Sequence, residues 1–214
     1  MLTLRNVGIA SPQAVLIKPF SLAVAQGEIV TVMGPSGSGK SSLLAYIGGD
    51  LPVALAGQGD VLLDGKALNT LPPERRRIGR LFQDDLLFPH MTVGENLLFA
   101  IRRAPRAERH RRMLKALTDA GLEGFADRPP HTLSGGQRAR VALMRTLLAE
   151  PAAILLDEPF SKLDRDLRAA IRAFTFEHVR TRMIPVILVS HDREDAPPGG
   201  RIFEIAAGGE LRHV

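Results

Sequence analysis

Several residue types are absent or scarce in this chain of 214 residues. There is no cysteine or tryptophan, there is one tyrosine, and aromatic residues make up 5% of the sequence. The absence of cysteine excludes disulfide bonds and cysteine-based zinc sites. Few aromatic rings argue against a stacking surface for single-stranded nucleic acid. The longest apolar runs, such as Ala152–Leu156 and Ile184–Val189, fall far short of the roughly 20 residues of a membrane span.

What is present is typical of a soluble globular protein, with 45% apolar and 24% charged residues. The length suits one domain, or one core that carries a subdomain. Much of the net charge of +5 comes from Arg75–Arg77 and Arg102–Arg112. We interpret these stretches as solvated helix faces, and the alternative is a surface for an acidic lipid or partner. No nucleic-acid partner is expected, and Met1–Arg5 lacks the layout of a secretion signal.

The hydrophobic pattern predicts strands that alternate with helices. The expected strands are Leu2–Val7, Phe20–Ala25, Ile29–Met33, Val61–Leu63, Ala153–Leu156 and Val186–Val189, and the expected helices are Ser41–Ile47, Val93–Arg102, Arg106–Ala120, Gln137–Ala149 and Asp164–Arg182. Strand, helix and strand at these lengths indicate right-handed crossovers and a parallel sheet. The middle of the chain, about 86–150, is expected to be a helical insert into an α/β core of about 1–85 and 151–214.

The segment Gly34–Ser41 fits the phosphate-loop pattern G-x-x-x-x-G-K-[ST], with a strand before it and a helix after it. Gly37 and Gly39 allow backbone N–H groups to surround phosphates. Lys40 is expected to reach the β- and γ-phosphates and the Ser41 hydroxyl to ligate Mg²⁺. The alternative is a plain glycine turn.

Two acidic residues, Asp157 and Glu158, follow an apolar strand. A carboxylate at Asp157 is placed to meet Mg²⁺ directly or through water. Glu158 points elsewhere, which suits it to polarise an attacking water as a general base. Acidic pairs at strand ends also serve as helix caps or salt-bridge partners.

Further motifs stand in a fixed order after the phosphate loop: Gln83 in Leu81–Asp84, then Leu133–Gln137, Asp157–Glu158, Ser161–Asp164 and His191 in Ser190–Asp192. With these motifs the chain resembles the ATPase subunit of a bacterial ABC transporter of the importer type, over nearly its whole length. The resemblance implies one domain, 1–214, with a P-loop NTPase (RecA-like) α/β core, an N-terminal antiparallel β subdomain and an inserted α-helical subdomain. It also implies hydrolysis of ATP with Mg²⁺.

The resemblance further implies a role for each motif residue. The residues expected to hold the nucleotide are Gly34, Pro35, Ser36, Gly37, Ser38, Gly39, Lys40, Ser41 and Ser42, and in trans Ser134, Gly135, Gly136, Gln137 and Asp164 of a second copy. The expected catalytic residues are Glu158, His191, Lys40 and Gln83, and the expected metal residues are Ser41, Gln83 and Asp157. Ser134 and Asp164 have an alternative role as caps of their own helices. Gln83 has an alternative as an exposed loop amide, and His191 as a structural residue.

The expected partners are a second copy in an ATP-dependent homodimer, transmembrane permease subunits and, indirectly, an extracytoplasmic solute-binding protein. The expected location is the cytoplasmic face of the inner membrane. Leu86–Val93 carries unusual apolar weight for a loop and is expected to receive a coupling helix of the permease, with ordinary packing as the alternative. The other functions considered are a separate-chain exporter, a soluble ATPase that acts on ribosomes or nucleic acid, and a nucleotide switch.

Two features depart from the family. Relatives present an aromatic ring to adenine shortly after the first strand, whereas Gly8–Pro12 contains none. Either an apolar residue such as Ile9 or Val15 replaces the ring or base stacking is weak, which leaves the preference for ATP over GTP open. The chain also ends soon after His191, so the C-terminal regulatory domain of many importer ATPases is expected to be absent.

Overall fold

The computed structural model describes residues 1–214. Ten β-strands follow one another along the chain: β1 (Leu2–Ala10), β2 (Val15–Val24), β3 (Ile29–Met33), β4 (Ala56–Leu63), β5 (Lys66–Ala67), β6 (Ile78–Leu81), β7 (Ala153–Asp157), β8 (Val186–Ser190), β9 (Ile202–Ile205) and β10 (Leu211–His213). Five α-helices lie among them: α1 (Lys40–Gly48), α2 (Val93–Ala100), α3 (Arg106–Asp119), α4 (Gly135–Leu148) and α5 (Arg165–Thr181). No helix is both long and apolar enough to cross a membrane.

The chain divides into two compact units. The first comprises Met1–Arg80, Ala152–Glu158 and Phe176–Val214, and the second comprises Leu81–Pro151 and Pro159–Thr175. The sequence predicted a core of about 1–85 and 151–214 with a helical subdomain of about 86–150, and that division stays a prediction.

A six-stranded sheet in the order β10-β9-β3-β8-β7-β6 forms the centre of the first unit. β3 pairs in parallel with β8 and β9, and β8 pairs in parallel with β7. All five residues of β8 are buried, as are the first four of β3 and of β7. Strands buried on both faces read as continuous Val, Ile and Leu runs, which is why the sequence pattern predicts them. The expected parallel sheet is confirmed.

A second sheet in the first unit is antiparallel, in the order β2-β1-β4-β5. Leu2, Leu4 and Ile9 on β1 are at most 1% exposed. They belong to one hydrophobic cluster with Leu43 and Ile47 of α1. The expected N-terminal antiparallel subdomain is thus present, and its apolar face packs in the same cluster as the helix that follows the glycine-rich loop.

The second unit contains α2, α3, α4 and the first part of α5. α4 buries Val141, Met144 and Leu147, which recur at helical spacing as predicted, whereas Leu148 is half-buried. α4 packs against α2 and α3. The expected helical subdomain is therefore observed, and its core is built on the predicted face of α4.

One of the basic stretches does not form the solvated surface that was expected. Arg75 and Arg77 are exposed, but Arg76 is only 6% exposed. Its guanidinium donates hydrogen bonds to four backbone carbonyl oxygens, those of Tyr46 (3.0 Å), Ile47 (2.9 Å), Asn69 (3.2 Å) and Leu71 (2.9 Å). Burial lowers the pKa of this guanidinium from its ordinary value. Arg76 therefore closes the C-terminal end of α1, where helix carbonyls lack partners.

We expect Arg76→Ala to destabilise the protein by about 2–4 kcal/mol, because it removes these bonds and leaves buried carbonyl groups unpaired. Urea unfolding monitored by circular dichroism measures this change. Arg75→Ala is the matched control, since its exposed side chain should change the free energy of unfolding by less than about 0.5 kcal/mol. Equal, small effects of the two substitutions would contradict the structural role of Arg76.

Candidate functional site

The loop between β3 and α1 wraps around the lysine that follows it. Lys40 is 6% exposed, and its Nζ donates to the carbonyl oxygens of Gly34 at 2.8 Å and Pro35 at 3.0 Å. Gly37 and Gly39 have φ angles of 79° and 94°, a region that residues with a Cβ rarely adopt. The loop therefore holds an ammonium group at the N-terminal end of α1, where the helix dipole also favours an anion.

Two carboxylates lie next to this loop. The Ser41 hydroxyl donates to Asp157 Oδ1 at 3.0 Å, and Lys40 Nζ lies 4.0 Å from Glu158 Oε1. Glu158 has a φ angle of 46°, in the left-handed region that is costly for a residue of this type. Strain of this kind occurs most often where a side chain must point in a particular direction for function.

A histidine that follows β8 lies next to one of these carboxylates. His191 follows β8, and its Nδ1 lies 3.1 Å from Glu158 Oε2. The turn that carries it is fixed by the buried Ser190 hydroxyl, which donates to Asp195 Oδ2 at 2.6 Å and accepts from the Asp192 N–H at 3.0 Å. The imidazole itself is 57% exposed. The imidazole can therefore contact Glu158 with one face exposed to a bound molecule.

A cavity of about 200 Å³ opens between these groups. Its lining consists of Leu16, Ser36, Gly37, Gly39, Lys40, Ser41, Ser42 and Glu158. Inside the same loop the Ser38 hydroxyl oxygen is buried without a hydrogen-bond partner. Backbone amides at a helix start, a cation, several hydroxyls and one unpaired buried hydroxyl form a set of groups suited to a polyphosphate. The residues present thus fit ATP.

The Ser41–Asp157 pair is suited to Mg²⁺. A hydroxyl and a carboxylate at hydrogen-bond distance offer the hard oxygen donors that this ion prefers. Gln83, the third expected metal residue, belongs to the second unit, where it is exposed just beyond β6.

The structure decides between the residues considered for the adenine contact. Ile9 is 1% exposed and belongs to the core, so it cannot meet a base. Val15 is 56% exposed, and its neighbour Leu16, which the sequence did not single out, lines the cavity at the loop. Val15 and Leu16 are aliphatic, so either of them would offer a base dispersion contacts without ring stacking.

The segment Leu133–Gln137 starts α4 in the second unit. Ser134 is the N-cap: its hydroxyl accepts from the Gln137 N–H at 3.3 Å, and Gln137 Oε1 accepts from the Ser134 N–H at 2.9 Å. Gly136 is buried, and a Cβ there would overlap the Leu167 side chain. Asp164 caps α5 in the same way, with its Oδ1 accepting from the Leu167 N–H at 3.0 Å. The capping roles weighed for Ser134 and Asp164 are thus present.

An apolar loop, Leu86–Val93, is held in place by polar side chains of the same unit. Asn96 is fully buried; its Oδ1 accepts from the Phe88 N–H at 2.8 Å, and its Nδ2 donates to the Phe88 carbonyl oxygen at 3.1 Å. Arg145 donates to the Leu86 carbonyl oxygen at 2.9 Å and lies 5.3 Å from the Phe88 ring centroid. Leu86 is 54% exposed. The loop therefore presents apolar side chains on a fixed backbone.

Comparison with known proteins identifies the family. A profile described as ABC transporter matches residues 17–161. The uncharacterized ABC transporter ATP-binding protein YnjD of Escherichia coli K12 is 44% identical over 98% of this chain and 97% of its own length. The spermidine/putrescine import ATP-binding protein PotA of Lawsonia intracellularis is 39% identical over 92% of this chain, which spans about half (53%) of that relative.

A solved structure agrees with these relatives. The ATP-binding cassette MJ0796, in a dimeric post-hydrolysis state bound to ADP and Pi, is 36% identical, covers 100% of this chain and superposes with a TM-score of 0.81. The chain belongs to the ABC transporter ATP-binding family. It is accordingly an ATP-binding cassette with the P-loop NTPase fold and ATPase activity.

Proposed function

We propose that this chain is the nucleotide-binding subunit that powers solute import through a separate permease, at the cytoplasmic face of the inner membrane. The observation that carries the proposal is the convergence of Lys40, Ser41, Asp157, Glu158 and His191 on one edge of the parallel sheet. The importer direction is supported by relatives such as PotA, whose name assigns it to import.

The nucleotide's phosphates are expected to replace the carbonyl oxygens that Lys40 contacts in the free chain. Gly34, Pro35 and the rest of the loop through Ser42 supply the surrounding amides and hydroxyls, including the unpaired hydroxyl of Ser38. Ser41 and Asp157 would hold Mg²⁺, which would neutralise part of the negative charge of the phosphates. Lys40 adds a positive charge that stays buried, so it acts in a medium of low dielectric constant.

Glu158 and His191 are proposed to act on the attacking water and the γ-phosphate. Glu158 is proposed to accept a proton from the attacking water as a general base. The water oxygen bonds to the γ-phosphorus while the bond from that phosphorus to the bridging β-phosphate oxygen breaks, and ADP is the leaving group. His191 lies beside the same carboxylate at 3.1 Å and is exposed on its other side. It can therefore hold Glu158 in the free chain and donate to a phosphate oxygen in the complex.

The second half of each site is proposed to come from a second copy. Ser134, Gly135, Gly136 and Gln137 form the start of a helix, whose N–H groups and dipole attract a phosphate. A dimer supplies them in trans, with Asp164 at the interface, as the dimeric MJ0796 cassette supports. Gln83 would connect the metal to the loop Leu86–Val93.

That loop is proposed to receive the permease. Asp85 and Arg138 form an ion pair at 3.2 Å, and Arg138 also donates to the Leu133 carbonyl oxygen at 2.7 Å. Burial raises the pKa of the Asp85 carboxyl although Arg138 opposes the shift. The pair therefore adds little to stability, since desolvation offsets its attraction. The ion pair instead fixes a position, because it joins the loop after Gln83 to the segment that starts α4.

The first test is a pull-down of tagged Glu158→Gln protein with ATP from detergent-solubilised native membranes. We expect a multi-span permease and an extracytoplasmic binding protein to co-purify, because the ATP-closed dimer holds its partners. A permease without a binding protein would favour export. Ribosomal proteins or DNA without any membrane protein would overturn the transporter assignment.

We expect Glu158→Gln to bind ATP and to form the dimer, while its rate of phosphate release falls by at least about 100-fold. The amide retains the shape of the side chain but cannot accept the proton. Steady-state phosphate release and size-exclusion chromatography with ATP measure the two properties. Glu204→Gln, on the exposed side of β9, is the matched control. Normal turnover in Glu158→Gln would disprove the general-base assignment.

Leu87→Ala and Phe88→Ala are expected to lower permease-stimulated ATP hydrolysis several-fold while basal hydrolysis by the isolated subunit persists. The reason is that they remove apolar contact area from the loop without touching the nucleotide cavity. Leu114→Ala serves as the control, since that leucine is 47% exposed on α3. Equal losses of basal and stimulated hydrolysis would show that the loop serves only packing.

A further inference from the structure

A partly buried arginine lies beside the carboxylate of Asp157. Arg80 is on β6, which neighbours β7 in the six-stranded sheet. Its side chain is 15% exposed; Nη2 lies 3.6 Å from Asp157 Oδ2, and Nη1 lies 2.5 Å from Asp50 Oδ2. One guanidinium group thus stands between two carboxylates.

The two oxygens of Asp157 have different neighbours. Oδ1 accepts from the Ser41 hydroxyl at 3.0 Å, and Oδ2 faces Arg80. The Asp157 side chain is 14% exposed, and a carboxylate so enclosed needs a compensating charge. In the nucleotide-free chain Arg80 supplies it. The same contact leaves Oδ1, on the side of the phosphate loop, as the oxygen offered to a ligand.

The charge of Arg80 must also act on any cation that Asp157 holds. A guanidinium within about 4 Å of a carboxylate neutralises part of the carboxylate's charge, so the carboxylate attracts a second cation less strongly. Asp50 works in the opposite direction, because it neutralises Arg80 from the far side. Its side chain is 47% exposed, so water screens its effect more than that of Arg80. The balance of the three groups therefore disfavours tight metal binding.

We propose that Arg80 is a positioning residue that acts through Asp157 and lowers the contribution of Mg²⁺ to nucleotide binding, with Asp50 limiting this effect. The proposal rests on the proposed assignment of Ser41 and Asp157 to the metal. A site that holds Mg²⁺ less firmly releases its nucleotide more readily after hydrolysis. Arg80 thereby favours turnover over storage of the bound nucleotide.

Calorimetric titration with a non-hydrolysable ATP analogue, at saturating Mg²⁺ and in EDTA, tests the proposal. The ratio of the two affinities reports the coupling between metal and nucleotide. Arg80→Met should raise this ratio by about threefold to tenfold, since it removes one like charge near the metal. Asp50→Asn should lower it by about twofold to threefold, since Arg80 then loses the opposite charge of Asp50. Arg80→Lys, which keeps the charge, should stay near the wild-type ratio.

Opposite shifts in the two neutral variants are the signature of a charge effect. A purely structural role would lower the melting temperature of both variants and leave the ratio unchanged, which would overturn the proposal. A fall of the ratio in Arg80→Met would overturn it too, because Arg80 would then strengthen the metal site. A wild-type ratio near one, with analogue binding intact, would instead disprove the metal assignment of Ser41 and Asp157.

Discussion

The register of three buried parallel strands positions the groups of the first unit that are proposed to be catalytic. Met33 at the end of β3 lies opposite Ser190 on β8, and Val189 on β8 lies opposite Asp157 on β7. The phosphate loop, His191 and Glu158 follow directly after these residues, so they leave the sheet at one edge. Nearly all residues of these strands are buried. A one-residue shift of the pairing register would therefore bring the polar residues that flank a strand into the core. The hydrogen bond from Ser41 to Asp157, which joins residues 116 positions apart, depends on that register.

The same burial explains which elements were predictable. β3, β7 and β8 are mostly apolar runs, and their bounds were predicted to within one residue. The first half of β4, from Ala56 to Asp60, is glycine-rich and mostly exposed, so only Val61–Leu63 was expected as a strand. β5, β6, β9 and β10 were not expected at all, since each has only two to four residues. Three of them, β5, β6 and β10, are the terminal strands of their sheets. α2 was expected to extend to Arg102 but ends at Ala100.

Some functional residues could also be predicted from the sequence, whereas others could not. Motifs whose residues are consecutive, such as the phosphate loop and Asp157–Glu158, were visible in the sequence, although their roles remain proposals. Arg76, Arg80 and Asn96 were not visible as site-forming residues, because their partners are distant in sequence or are backbone atoms; Arg76 reaches Tyr46 over 30 residues. The capping box of Thr92 and Glu95 at the start of α2 was not predicted either, although its T-x-x-E spacing is a sequence signal for a helix start.

Capping and binding in trans are compatible uses of one side chain. The Ser134 hydroxyl accepts from the Gln137 N–H through a lone pair, which leaves its own proton free to donate to a phosphate oxygen. This hydrogen bond of 3.3 Å is long and therefore weak. It orients the hydroxyl, which can still bind a second group. Asp164 accepts the Leu167 N–H at Oδ1, and its second oxygen remains an acceptor. Each cap therefore orders its group in the single chain, which would lower the entropy cost of forming the proposed dimer.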